Sequence, residues 1–402
     1  MKDLTLLTLL LVIFSSLVFS NEENSSLDSY ISNNKKEKFK YDYQKNEAES
    51  SKFRDSWIAP INLNYSYSKS DPYGETQLNE NAAIKVDQPI FQSGGIYYGI
   101  KFANAYKKYS DYSVDVAKRK LIKDAISILM QIKQTDLKIS KQKLQIKNSE
   151  INLKLKQDQY LNGQLDSGFL DNAIIERNSI IQTLYDFETS KERLISTFST
   201  LSDLDYKTAT IPHLEFITQE EFLNNNISMK MAKSQIQKDM YNKDITVSKY
   251  LPQVSVTAGY SWSKTDGQFN FGESEKKYHD YGFKVYVPLN INTFRDIESS
   301  RVDYLKSKVN VKDKLQELKA LFEQVIQNID NLDKKKRLSL ENKDIYAKLL
   351  TDTEKLFGAG YKTQYDVQML KNSLGISELN SKIFEMDKQI ELLNLYEMYV
   401  NE

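Results

Sequence analysis

The sequence predicts a mainly helical α+β chain, built as a duplicated unit of helix, strand, strand, long helix and helix, whose four strands belong to a membrane sheet. Three observations carry this. Long stretches without proline repeat apolar residues every seven positions. Two short stretches break into strict alternation just after a proline, YLPQVSVTAGYSWS at 250–263 and WIAPINLNYSYS at 57–68. The whole pattern then occurs twice.

The chain opens MKDLTLLTLLLVIFSSLVFS, with Lys2 ahead of an apolar run from Leu4 to Phe14. That short run, followed by the polar NEENSS, predicts a secretory signal peptide over 1–20 and an exported protein. No later stretch is apolar for long enough to be a transmembrane helix. The 402 residues hold 55 basic and 55 acidic side chains, so net charge points neither to nucleic acid nor to an acidic surface. Cysteine is absent, which excludes disulfides, zinc–thiolate sites, thiol nucleophiles and a lipid anchor through cysteine. The two histidines, His213 and His279, are far apart and sit in no metal-binding spacing, so no metal or other cofactor is expected. FGAGYKT at 357–363 lacks the spacing of a phosphate-binding loop. Nothing points to an enzyme.

Residues 21–56 form an N-terminal helical segment ahead of two repeats, 57–217 and 218–402. Pro60 aligns on Pro252 at a shift of 192, and AIKVDQPIF (83–91) on GFKVYVPLN (282–290) at a shift of 199, with Pro89 against Pro288. The first repeat predicts strands near 57–68 and 82–91 and helices near 96–160 and 170–202. The second predicts a helix near 219–248, strands near 251–263 and 278–291, and helices near 294–357 and 365–400.

Each strand separates an apolar face from a polar one. Val254, Val256, Tyr260 and Trp262 oppose Ser255 and Thr257, and Tyr281, Phe283 and Val285 oppose Asp280, Gly282 and Lys284. Strands of 10–13 residues are long enough to cross a bilayer at a tilt, and Tyr and Trp cluster toward their ends as in an aromatic girdle. Four strands cannot close a membrane barrel, and an open edge cannot face lipid. Several chains must therefore share one barrel; two would supply eight strands and three twelve.

The helices carry seven-residue stripes: Ala125, Ile132, Ile139, Ile146, Leu153 and Tyr160 in the first repeat, and Val311, Leu315, Leu318, Phe322, Val325, Ile329 and Leu332 in the second. Such stripes predict coiled-coil packing of each long helix on its return helix. The run Lys334 to Arg337 reads as a solvated helix face.

The strand YLPQVSVTAGYSWS, the junction VDQPIFQSGG (86–95) and the hairpin turn GYKTQYDV (360–367), in this order and duplicated, resemble the TolC-type outer membrane efflux proteins. The resemblance implies a homotrimer in the outer membrane of a Gram-negative bacterium. Its 12-stranded β-barrel would sit in lipid and continue into a long periplasmic α-helical barrel. It implies as partners a periplasmic adaptor (membrane fusion) protein and an inner-membrane transporter of RND, ABC or MFS type, with drugs, metals or, as in type I secretion, proteins as cargo. It implies that the hairpin tips close the tunnel, with Asp366 and Lys362 at the aperture and Asp166 and Asp171 on the other tip. Where the family has a second acidic position three residues on, this chain has Met369. Gly163, Gly360 and Thr363 would contact the adaptor, although glycines there also simply make the turn. Pro60, Pro89, Gly94, Gly95, Pro252 and Pro288 would mark the barrel–helix joints; the second joint, VPLNINTFRD (287–296), lacks the glycine pair, so its bend falls to Pro288 and the Asn residues. The other reading of the residues is a periplasmic coiled-coil adaptor or structural protein with a small soluble sheet.

Overall fold

A computed structural model describes residues 27–71, 74, 76–267 and 274–400. The predicted signal peptide lies outside them. After a short 3-10 turn at Asp28–Tyr30 come α1 (Asn33–Arg54), β1 (Asn62–Ser70), β2 (Gln77–Phe91), α2 (Gly95–Leu161) and α3 (Ser167–Leu201). Then follow α4 (Gln219–Asn224), α5 (Ile227–Ser248), β3 (Gln253–Gly267), β4 (Ser274–Tyr286), α6 (Thr293–Gly358) and α7 (Gln364–Tyr396).

The two long helices, of 67 and 66 residues, are each about 100 Å long at ~1.5 Å rise per residue. Each folds back on its return helix, α2 on α3 and α6 on α7, and α2 also packs on α7, α5 and α1. The shared core lies midway along the helices, where Leu129, Met130 and Ile132 of α2 meet Phe198, Leu318, Val325, Leu393 and Leu395. The connector 202–218 and α4 wrap this level: Leu214, Ile217 and Phe222 join the same core, and the Phe222 ring lies 5.8 Å from that of Phe322. Burial fades along the predicted stripe, from fully buried Ala125 and Ile132 to exposed Tyr160 at the turn. Each core side chain withdrawn from water contributes roughly 1.5–3 kcal/mol, so the helices are held most firmly at mid-height and least at the turns.

Helix α1 docks by a stripe of four-three spacing with polar members. Tyr43 hydrogen-bonds to Asp115. Asn46 donates to Asp111 at 3.0 Å, Ser50 donates to the Ala103 carbonyl at 3.0 Å, and Phe53 meets Phe102 and Tyr106 edge-on at 5.5 and 5.0 Å. Burial raises the Asp111 carboxyl above its ordinary value, and the Asn46 amide only partly offsets this.

The strands form one antiparallel sheet in the order β1-β2-β3-β4, with β1 and β4 as open edges. Leu63 lies opposite Ile84, Ile84 opposite Tyr260, and Val256 opposite Phe283, so the apolar faces of all four strands coincide. That face is bare: Leu63 is 72% exposed, Phe283 78% and Tyr281 85%. No described helix packs across the sheet.

Four features differ from the sequence reading. The strands run further into the polar hairpin ends, to Ser70, from Gln77, to Gly267 and from Ser274. Ladder hydrogen bonds are made by backbone, so pairing continues where the apolar alternation has stopped. The last strand ends at Tyr286 instead of near 291, because its partner β3 begins at Gln253, opposite Tyr286, and neither Pro252 nor Pro288 has an N–H with which to extend the ladder. The helix expected near 219–248 is broken at Asn225–Asn226, where Asn226 caps α5 through the Met229 N–H and its strand-like backbone pairs with Tyr399. Finally, the repeats align one residue off their prolines. Ile84 and Phe283 are 199 positions apart, but their partners Leu63 and Val256 are 193 apart. Pro60 and Pro252, at 192, thus enter their strands one position out of step.

Candidate functional site: barrel joints and hairpin tips

The two barrel–helix joints are built differently. In the first, Ser93 and Gly94 adopt φ of 48° and 89°, and the Ser93 hydroxyl donates to the Pro252 carbonyl at 2.6 Å. A Cβ on Gly95 would come within 2.7 Å of the Ser248 hydroxyl oxygen. Glycine is therefore needed twice over, once for a left-handed backbone and once for close approach to α5. Pro89 sits where β2 is paired with β3 but has passed the start of β1, and the ladder slips between Pro89 and Phe91. A missing N–H costs little at such a place. The second joint uses no left-handed residue. The Asn290 side chain accepts from the Asn292 N–H at 2.9 Å, and the Asn290 carbonyl accepts from both the N–H and the hydroxyl of Thr293. Asn292 itself is right-handed, at φ −85°. An asparagine turn replaces the glycines, and Leu289, 95% exposed, Ile291 and Phe294 stand bare beside it.

The far ends of the two hairpins share one construction. Gly163 and Gly360 have φ of 71° and 81°. The next residues, Gln164 and Tyr361, donate back to the Gln159 and Leu356 carbonyls at 2.8 and 2.9 Å. Each glycine thus ends a long helix in a Schellman turn. Asp166 then caps α3 by accepting from the Gly168 and Phe169 N–H groups, and Thr363 caps α7. Counted from cap to cap, Asp366 corresponds to Phe169, and Asp171 stands two residues further into its helix, exposed.

Asp366 completes a capping box. Its carboxylate accepts from the Thr363 N–H at 2.9 Å and the Thr363 hydroxyl at 2.8 Å, and Thr363 accepts from the Asp366 N–H at 3.2 Å. The backbone bond, then the hydroxyl, then the charge of Lys362 hold the Asp366 carboxyl below its ordinary range. Lys362 is exposed. Leu161, Phe169 and Tyr361 give both tips an exposed apolar character that the sequence reading missed, because no periodicity marks residues in a turn.

Just above the tips the hairpins are joined by polar groups. Asn372 donates to Asn148 at 2.8 Å, Gln368 donates to Asn372 at 2.9 Å, and the Lys154 ammonium lies 5.5 Å from the Tyr365 ring centre. Two heptads up, Gln134 hydrogen-bonds to Asp387. Lys141 lies one heptad from each of Gln134 and Asn148, and burial lowers its pKa. Two of the four residues in the run Lys334–Arg337 make helix-surface pairs, Lys334 with Asp330 at 2.5 Å and Lys336 with Glu385 at 2.6 Å. Among the described residues no group of His, Asp or Glu could hold a metal ion, and no helix is long and apolar enough to cross a membrane.

A model of the outer membrane efflux protein family matches residues 219–398. No curated protein matches the chain. Solved structures do. The VceC outer membrane protein of Vibrio cholerae superposes with a TM-score of 0.72 at 12% identity, over 93% of this chain and 96% of that one. The CmeC outer membrane channel of Campylobacter jejuni gives 0.71 at 12% identity, over 92% and 84%. The open-state MtrE outer membrane channel of Neisseria gonorrhoeae gives 0.69 at 12%, over 92% and 87%. At these identities the likeness speaks for the fold, and the family match speaks for the second repeat. Proteins of this family are outer-membrane channels with a large periplasmic helical tunnel; they generally trimerise and work with adaptors and inner-membrane pumps. By sequence, residues 219–398 are similar to the outer membrane efflux protein family, and over nine-tenths of its length the chain has the fold of these outer-membrane channels.

Proposed function

We propose that three copies of this chain form one export duct through the outer membrane, fed by an inner-membrane pump through a periplasmic adaptor. The observation that carries it is the sheet: four strands with two open edges and a bare apolar face, set at the end of hairpins about 100 Å long. Unpaired backbone at a sheet edge is intolerable in lipid, so the edges must meet other copies. The reading as a soluble adaptor with a small sheet fails on the same face, because no described helix covers it.

The hairpin tips, farthest from the sheet, are the periplasmic aperture in this reading. Asp366 presents one carboxylate per copy toward it, with Lys362 beside it, and Asp166 and Asp171 supply acidity on the other tip. The exposed Leu161, Phe169 and Tyr361 support docking of an adaptor there, with Gly163, Gly360 and Thr363 shaping the turns that carry them. Pumps of RND, ABC and MFS type all remain compatible with this end.

Membrane fractionation tests the reading. The protein should pellet with outer membranes and migrate, unheated, as an oligomer that heat converts to monomer. Recovery as a soluble monomer without detergent would overturn it.

A further inference from the structure

The sheet is complete in its interior and incomplete at β1 and β4, so the unanswered question is which residue of a second copy meets which residue of β4. We infer that β4 pairs antiparallel with β1 of the next copy in one register, with Val285 opposite Tyr65 and Phe283 opposite Tyr67. This rests on the shared-barrel reading but not on the number of copies, since any closed ring has the same seam.

Two independent observations give the register. The first is the side-chain faces. On β4 the apolar face is Tyr281, Phe283 and Val285, and on β1 it is Leu63, Tyr65 and Tyr67. A sheet in lipid keeps its apolar side chains on one face, and a slip of one residue would invert them. Only registers differing by two residues survive.

The second is the internal repeat. The second strand of each hairpin carries Lys-Val-x-x-Pro, at 85–89 and 284–288, which fixes the 199 shift between β2 and β4. The hairpin pairings then fix the 193 shift between β1 and β3. Within the chain, the seam between successive hairpins is β2 against β3, with Val86 opposite Ala258 and Ile84 opposite Tyr260. Carried across the repeat, Val86 becomes Val285 and Ala258 becomes Tyr65; Ile84 becomes Phe283 and Tyr260 becomes Tyr67. The transferred register lands apolar on apolar, as the first observation requires. It runs Asn64–Ser70 of one copy along Asp280–Tyr286 of the other and places Asn64 opposite Tyr286 on the polar face. Transfer stops below Pro89 and Pro288, where the first joint bulges and the second turns on asparagine.

The seam would bury, in each copy, the strand edges that flank the most exposed apolar side chains of the sheet, and it leaves those side chains themselves in one continuous outer band.

The chain has no cysteine, so paired cysteines report the register without background. Directly opposed residues lie about 4.5–5.5 Å apart between Cα atoms, within disulfide reach, whereas a two-residue slip separates them by about 7–8 Å. Tyr65→Cys with Val285→Cys, and Tyr67→Cys with Phe283→Cys, should oxidise in isolated membranes to reducible covalent multimers. Their yield should be about tenfold that of the slipped pairs Tyr65→Cys with Phe283→Cys and Tyr65→Cys with Val287→Cys. Asn64→Cys with Tyr286→Cys repeats the measurement on the polar face, should loss of an aromatic side chain prevent assembly. Heat-sensitive oligomers that cross-link only through slipped pairs would overturn the register and leave the shared barrel standing. Absence of any oligomer in the unsubstituted protein would overturn both.

Discussion

The Asp366 carboxylate accepts two hydrogen bonds from Thr363, one from its N–H and one from its hydroxyl, and so closes the start of α7 at the tip of the second hairpin. Thr363→Ala removes the cap and should cost about 1 kcal/mol of stability, read as a lowered midpoint of thermal unfolding. Thr363→Ser keeps both bonds and should leave the midpoint within error of the unsubstituted protein.

The same pair sets a pH response. The folded Asp366 carboxyl is held below its ordinary value of 3.8, chiefly by the Thr363 backbone bond. Its contribution is therefore complete above that ordinary value and is lost as pH falls through the lower folded value. Asp366→Asn should shrink the stability difference between neutral pH and strongly acid pH, and a difference equal to that of the unsubstituted protein would separate Asp366 from acid sensitivity.

In the proposed duct, Asp366 would also supply one negative charge per copy at the aperture, where a ring of carboxylates binds cations at close quarters. Asp366→Asn should weaken block of single-channel conductance by multivalent cations, while Thr363→Ala, which disturbs the cap but keeps the charge, should weaken it less. Equal block in all three proteins would take Asp366 out of the conducting path.

Gly360 and Gly163 are left-handed and have open space around them. Gly360→Ala should thus cost roughly 1–2 kcal/mol from backbone strain alone. Gly99, inside α2 and equally open, has ordinary helical backbone. Gly99→Ala should stabilise by about 0.5–1 kcal/mol. Opposite signs in chemical denaturation are the expected outcome.

The hairpin seam predicts a non-additive pair. Asn148→Leu leaves the buried Asn372 amide without its 2.8 Å acceptor and should cost about 1–3 kcal/mol. Adding Asn372→Leu should recover much of that loss, because removing both polar partners is far less costly than orphaning one.

The order of elements was legible in the residues because it rests on periods. Alternation of two marks a strand with one wet face, and a seven-residue stripe marks a helix seated on another. Gly163 and Gly360 were legible as turns because few other residues hold a left-handed backbone. Other features carried no such signal. Asp366 by itself reads as a helix N-cap after a glycine turn; that Thr363 takes the cap and Asp366 closes the box from three residues further on shows only once the backbone has bent. The break at Asn225–Asn226 hid inside a helical pattern, because it depends on Tyr399, far away in the sequence.

By itself, then, the sequence determined that this chain is duplicated, strand-bearing and long-helical, and that its four strands are too few to enclose anything. Local pattern suffices for that, because periodicity and strand count are properties of the sequence. Tertiary structure decided the rest. It decided that β2 and β3 join the repeats, that the prolines stand one residue out of step, and that Asn290, among Pro288 and the asparagines, makes the turn of the second joint. It also decided that the hairpins meet through Asn148 and Asn372. The β2–β3 pairing and the Asn148–Asn372 bond join groups more than a hundred residues apart, and the Asn290 turn rests on polar bonds within three residues; no apolar period encodes either kind of choice.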